Sequence, residues 1–148
     1  MPTASASDTT ALGADLLKVV ARLNRFATQR TQLPLPWAQA RLLSTIEDRG
    51  EARISDLAEL DHCSQPTMTT QVRRLEDAGL VTRTADPGDA RAVLIRITEA
   101  GVDVLARARI DRAAVIDPLL EQLTDAERAA LGTAVDVMRQ MLATAQSS

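Results

Sequence analysis

Residues 54–101 read ISDLAELDHCSQPTMTTQVRRLEDAGLVTRTADPGDARAVLIRITEAG, and the fold turns on how this stretch divides. Its first half has helical spacing. Ile54, Leu57, Ala58 and Leu60 supply the inner face of a short helix over about 55–61, for which Ser55 is a suitable N-cap. A second helix, about 64–78, opens at Ser64, tolerates Pro66 in its first turn and stops at Gly79. Beyond Gly79 the period drops to two. LVTRTA and AVLIRIT are short and β-branched, Val93, Ile95 and Ile97 alternate, and DPGD between them is a turn signal. Two short helices joined by about two residues, with a hairpin directly behind, describe a winged helix-turn-helix, whose second helix lies in the major groove of duplex DNA.

The composition of that second helix fits the role. Met68, Val72, Leu75 and Gly79 fall on one side and predict its core face. The opposite side carries Pro66, Thr67, Thr70, Arg73 and Arg74, with Ser64, Gln65 and Thr69 at the flank and amino end. Hydroxyl, amide and guanidinium groups with few acids suit base edges, and a helix amino terminus favours phosphate. An ordinary solvated face is the plain alternative. At the hairpin tip, Arg91 on a thin ribbon can enter the minor groove, where negative potential concentrates. Asp89 reads as a partner that orients Arg91 or closes the turn, against the alternative that both are exposed turn residues.

Outward from this centre the pattern is helical. Leu12, Leu16, Val19, Leu23 and Phe26 form one stripe on a helix over about 11–31, preceded by ten small and polar residues expected to be flexible. Pro34 and Pro36 break that helix, and WAQARLLSTIEDRG gives another, closed by Gly50. After the hairpin, Thr98 caps a long helix that Pro118 is expected to end or kink, and T-D-A-E at 124–127 is a capping box opening a last helix to about Thr144. The stripes of the terminal helices, including Leu119, Leu120, Leu123, Leu131, Val135, Met138 and Leu142, exceed what a winged module of about 65 residues can cover. They call for a partner. The expected organisation is mainly α with a small β-hairpin wing: a flexible start (1–10), dimerisation helices (11–34 and 99–146) and a DNA-binding lobe (35–98), in one intertwined domain. A two-fold homodimer sets two recognition helices roughly 34 Å apart and predicts a pseudo-palindromic operator.

Composition narrows the alternatives. The chain has 148 residues, 45% hydrophobic and 25% charged, which fits one globular domain. Phe26 and Trp37 are its only aromatic rings, so the stacking platforms of single-strand and RNA binders are missing. Net charge is −3, yet residues 63–98, with five arginines against four acids, are slightly positive. One Cys and one His exclude a disulfide framework and a Cys/His zinc site. With His62 the only His, no G-x-S-x-G and no phosphate-binding glycine loop, no catalytic residues and no cofactor are expected. The start lacks the features of a signal peptide and no run of about 18 apolar residues exists, so a soluble, cytoplasmic protein without a membrane partner is expected.

From about residue 35 to 101 the chain resembles the MarR (multiple antibiotic resistance regulator) family. LPWAQARLL carries the likeness, as does RRLEDAGLV followed by DPGDAR and ITEAG in that order and spacing. The resemblance implies a transcription regulator, by default a repressor, built as a triangular homodimer with the first and last two helices interlocked. It implies base or phosphate contacts on the fourth helix and a minor-groove contact at Arg91. Ala90 departs from it, standing where the family often has a second basic residue. The resemblance also implies a small phenolic or anionic effector, bound where dimerisation helices meet the DNA-binding lobe, which here maps to Arg22, Phe26, Trp37, Arg41 and Ile46. Core packing of the rings and solvation of the arginines is the alternative. Two other readings are a redox-responsive regulator acting through Cys63, although a lone Cys is usually a small hydrophobe, and a helical interaction adaptor that does not bind DNA.

Overall fold

The central stretch folds as α3 (Ile54–Leu60) and α4 (Gln65–Asp77), followed by β2 (Val81–Asp86) and β3 (Asp89–Ile97). In the computed structural model, which describes residues 5–147, α1 (Ala6–Arg30), α2 (Trp37–Arg49) and β1 (Glu51–Arg53) precede them, and α5 (Glu99–Glu121) and α6 (Asp125–Gln146) follow. The architecture is mainly helical with one antiparallel sheet in the order β1-β3-β2.

Both helices of the central motif stop in the same way. At the end of α4, Gly79 takes a left-handed conformation (φ 73°), its N–H reaches the Glu76 carbonyl at 2.9 Å, and the Leu80 N–H reaches the Leu75 carbonyl at 2.9 Å. This pair of bonds satisfies carbonyls that a helix end leaves orphaned. α3 ends with the same two bonds, from His62 to Glu59 and from Cys63 to Ala58, with His62 as the left-handed residue (φ 51°). That reversal occupies Asp61 to Ser64, so the turn is longer than the two residues expected.

The chain divides into two units, Thr31–Asp111 and a second made of the segment up to Arg30 with the segment from Arg112 onward. In the first, Leu43, Ile46, Leu57, Met68, Val72, Leu75 and Ile95 are fully enclosed, so the core side read from the spacing of α4 is the buried side. Leu105 of α5 joins this core. The amino end of α5 lies tight against the sheet: a Cβ on Gly101 would stand 2.3 Å from the Leu80 carbonyl oxygen and 2.6 Å from Ile97 Cγ1. Thr98 fixes that junction, accepting the Gly101 N–H and donating its hydroxyl to the Gly79 carbonyl.

In the second unit, α6 begins with a reciprocal cap: Thr124 Oγ1 accepts the Glu127 N–H while the Glu127 carboxylate accepts the Thr124 N–H. None of the residues of α6 is buried. Leu131, Val135, Val137, Met141 and Leu142 are exposed, as are Leu12, Leu17, Val19 and Leu23 of α1. Arg112 of α5 donates to Asn24 of α1. Among the described residues no helix is long and apolar enough to cross a membrane.

Further sequence expectations need correction, and Leu60, expected on the inner face of α3, is exposed. α1 begins at Ala6, not near residue 11, with the Ser5 N–H bonded to the Asp8 carboxylate, so 6–10 is helix where flexible chain was expected; residues 1–4 of that segment lie outside the described residues. Ser55 is inside α3 and does not cap it. Arg53 holds the N-cap position in extended conformation because it also ends β1, and strand runs directly into helix. β1 itself was not expected, since three residues are too short to show alternation. Pro118 does not end α5, which continues to Glu121; a proline there removes one backbone hydrogen bond without stopping the helix.

Candidate nucleic-acid interface

α4 is built to present its polar side. Ser64 is its N-cap, accepting the Thr67 N–H, and Pro66 occupies the first turn, where its missing N–H has no partner to lose. With Met68, Val72 and Leu75 inward, Gln65, Pro66, Thr67, Thr70, Arg73 and Arg74 are exposed, Ser64 is exposed at the cap, and Thr69 is half-buried at the flank. The hydroxyls of Thr69 and Thr70 donate to the carbonyls four residues back, at 2.8 and 3.1 Å. Their methyl groups and remaining lone pairs are left for an outside partner.

Charge pairing separates the arginines of Thr31–Asp111. Arg41 pairs with Asp61, Arg53 with Asp86, Arg83 with Glu76, Arg96 with Glu51, Arg107 with Asp111 and Arg109 with Glu47. Among the described residues, Arg73 and Arg74 on α4 and Arg91 on the wing have no acidic partner, nor has Arg49 at the end of α2. Within Thr31–Asp111 the arginines without an acidic partner therefore gather mainly on the two features that a winged helix directs at DNA.

At the wing tip, Asp89 closes the turn through the backbone, its carboxylate accepting the Arg91 N–H at 3.0 Å, and leaves the Arg91 guanidinium free. Asp86 accepts the Gly88 N–H at 2.8 Å on one oxygen and the Arg53 guanidinium at 2.5 Å on the other. The Gly88 N–H, and then Arg53, hold the Asp86 carboxyl below its ordinary value. Arg53 and Arg83 were not singled out from sequence. Their partners lie 33 and 7 residues away, and only the sheet order places them together.

Arg22 and Phe26 line an open groove of about 730 Å³ with Val19, Leu23, Arg25, Gln29 and Leu119, all in one unit. Arg30 stacks on the Phe26 ring, 3.9 Å from its centroid. In the other unit Trp37 is partly exposed, Arg41 is engaged with Asp61, and Ile46 is fully enclosed in the core, which takes its side chain out of reach of a ligand. Cys63 is half-buried and packs against the same core, and His62 beside it is exposed. Among the described residues no cluster of three or more His, Cys, Asp or Glu is arranged to hold a metal ion.

Comparison with known proteins bears on the family and the fold. The MarR family pattern matches residues 35–93. Over 128 residues the chain is 32% identical to the HTH-type transcriptional regulator Mb0904 of Mycobacterium bovis, covering 86% of this chain and 90% of that protein. Among solved structures, the transcriptional regulator Tm0710 from Thermotoga maritima superposes with a TM-score of 0.73 at 22% identity, covering 94% of this chain and 99% of that one. A cysteine-to-serine mutant of MarR from E. coli, complexed with operator DNA, superposes with a TM-score of 0.55 at 20% identity, covering 91% and 99%. These structures share the fold.

Proposed function

Because the chain belongs to the MarR family of transcriptional regulators, we propose that it binds operator DNA as a homodimer, each chain laying α4 in the major groove and Arg91 in the adjacent minor groove. The observation that carries this reading is the distribution of free arginines. In a chain of net charge −3 most of the guanidinium groups around the motif are neutralised by neighbours, while Arg73, Arg74 and Arg91 stay open on α4 and the wing tip. A related MarR of the same fold has been solved on operator DNA.

The apolar faces of α1 and α6 support pairing of two chains. Each leucine moved from water into an interface contributes roughly 1.5–3 kcal/mol, and Leu12, Leu17, Leu131 and Leu142 are all exposed in the single chain. Two-fold pairing gives a pseudo-palindromic site with half-sites about one DNA turn apart. The reading assigns no catalytic role and no cofactor, and places the protein in the cytoplasm with its DNA. Its regulatory outcome is repression, relieved by a small phenolic or anionic effector. The groove beside Phe26, where Arg22 and Arg25 meet an apolar floor, offers the chemistry such a ligand needs.

Selection of bound fragments from random duplex DNA tests the reading. A pseudo-palindrome should emerge, bound with an affinity that falls steeply as salt rises, and a simple phenolic acid should release it. Retention of no duplex at low ionic strength, or binding indifferent to salt, would remove DNA recognition from the account.

A further inference from the structure

We propose that Arg53 aims the wing: it is a positioning residue that acts on DNA through Asp86 without touching the duplex, an inference that rests on the DNA-binding reading above. β1 covers β3 only along Glu51↔Arg96, Ala52↔Ile95 and Arg53↔Leu94. From Val93 to the tip the wing is a two-stranded ribbon, and such ribbons hold a fixed direction poorly by themselves. Something must tie the tip back. Directly opposed residues of antiparallel strands share a face of the sheet, which puts Arg53, Leu94 and Thr84 in one row across the order β1-β3-β2. The Arg53 guanidinium crosses the middle strand at the level of Leu94 and reaches Asp86, two residues beyond Thr84 and beside the register shift between Ala85 and Asp86.

Both ends of this tie are well placed for the task. Arg53 is held as the last residue of β1 and as the N-cap of α3, so its backbone is fixed by the sheet and by the first helix of the DNA-binding motif. The Asp86 side chain is only 10% exposed, and its second oxygen holds the Gly88 N–H. One carboxylate therefore shapes the turn and receives the tether. Three residues further on, Asp89 holds the Arg91 N–H, so the direction of Arg91 follows from the same turn. With the Arg53 side chain 45% exposed, water screens the pair and it adds little to stability, so its effect is to be sought in binding.

The test uses the full-length protein and the duplex selected above, with affinity measured at several salt concentrations at a temperature where every variant is folded. Arg53→Gln and Asp86→Asn, the latter keeping an acceptor for Gly88, should each weaken binding roughly tenfold and lower the salt slope by about one, as loss of a single groove contact does. Arg91→Ala should do the same, and adding either change to it should have little further effect. Arg53→Lys should restore part of the affinity. Without DNA, amide exchange at Gly88 should accelerate in Arg53→Gln. Full affinity in Arg53→Gln, unchanged exchange at Gly88, or a loss additive with Arg91→Ala, which would mean that Arg53 contacts phosphate itself, each overturns the proposal. A wild-type protein that retains no duplex removes the DNA-binding reading and this proposal together, whereas wild-type binding left intact by Arg53→Gln removes only this one.

Discussion

At Gly101 a hydrogen is the largest substituent that fits. Alanine in place of glycine ordinarily stabilises a helix by roughly 0.5–1 kcal/mol, but here its Cβ would meet the backbone oxygen of Leu80, which has no flexible end to move aside. Gly101→Ala should therefore destabilise by about 1–3 kcal/mol, the usual range for an overpacked site, and urea denaturation measures it. His62 is the opposite case, an exposed non-glycine residue at φ 51°. His62→Gly should raise stability by up to about 1 kcal/mol, because the left-handed conformation that strains an L residue is free to glycine. Arg91→Ala should leave the melting temperature unchanged while weakening DNA binding, since the side chain has no partner within the described residues. The polar positions of α4 were legible because period and composition suffice to assign them. Arg53 was not, because its significance depends on which strand lies between it and Asp86.

Among the elements, α4 and α6 show how much a cap contributes. Ser64→Ala removes the side-chain acceptor at the amino end of α4 and should cost about 1 kcal/mol, readable in thermal denaturation. At α6, bonds from the Thr124 backbone N–H and hydroxyl hold the Glu127 carboxyl below its ordinary value. A carboxyl whose folded value is depressed contributes stability above its unfolded value and loses it as pH falls through the folded one. The stability difference between wild type and Glu127→Gln should therefore shrink on acidification below the ordinary carboxylate range. Both caps were readable in sequence, as Ser64 opening a helical run and as T-D-A-E at 124–127, because capping is local. The start of α3 was misread since a preceding strand, and not a side chain, sets it.

For the whole molecule, the two units differ in what covers their apolar surface. Residues 31–111 enclose a core of their own, while α1 and α6 display leucines to water. If a second chain covers them, Leu142→Asp together with Leu131→Asp should yield monomers in sedimentation and abolish salt-sensitive DNA binding, and the wild-type melting temperature should rise with protein concentration. A surplus of apolar stripe over available core was visible in the sequence, whereas the burial of Ile46, one of the expected effector residues, was not: it is packed inside, and only side-chain burial could reveal that.

That α6 encloses none of its own side chains bears on timing in the cell. If two chains pair through this helix and DNA binding needs the pair, then at concentrations where pairs are scarce their number follows the square of the chains present, and occupancy of DNA falls faster than the polypeptide is diluted by growth. A regulator assembled that way would let go of its genes soon after its own synthesis stops.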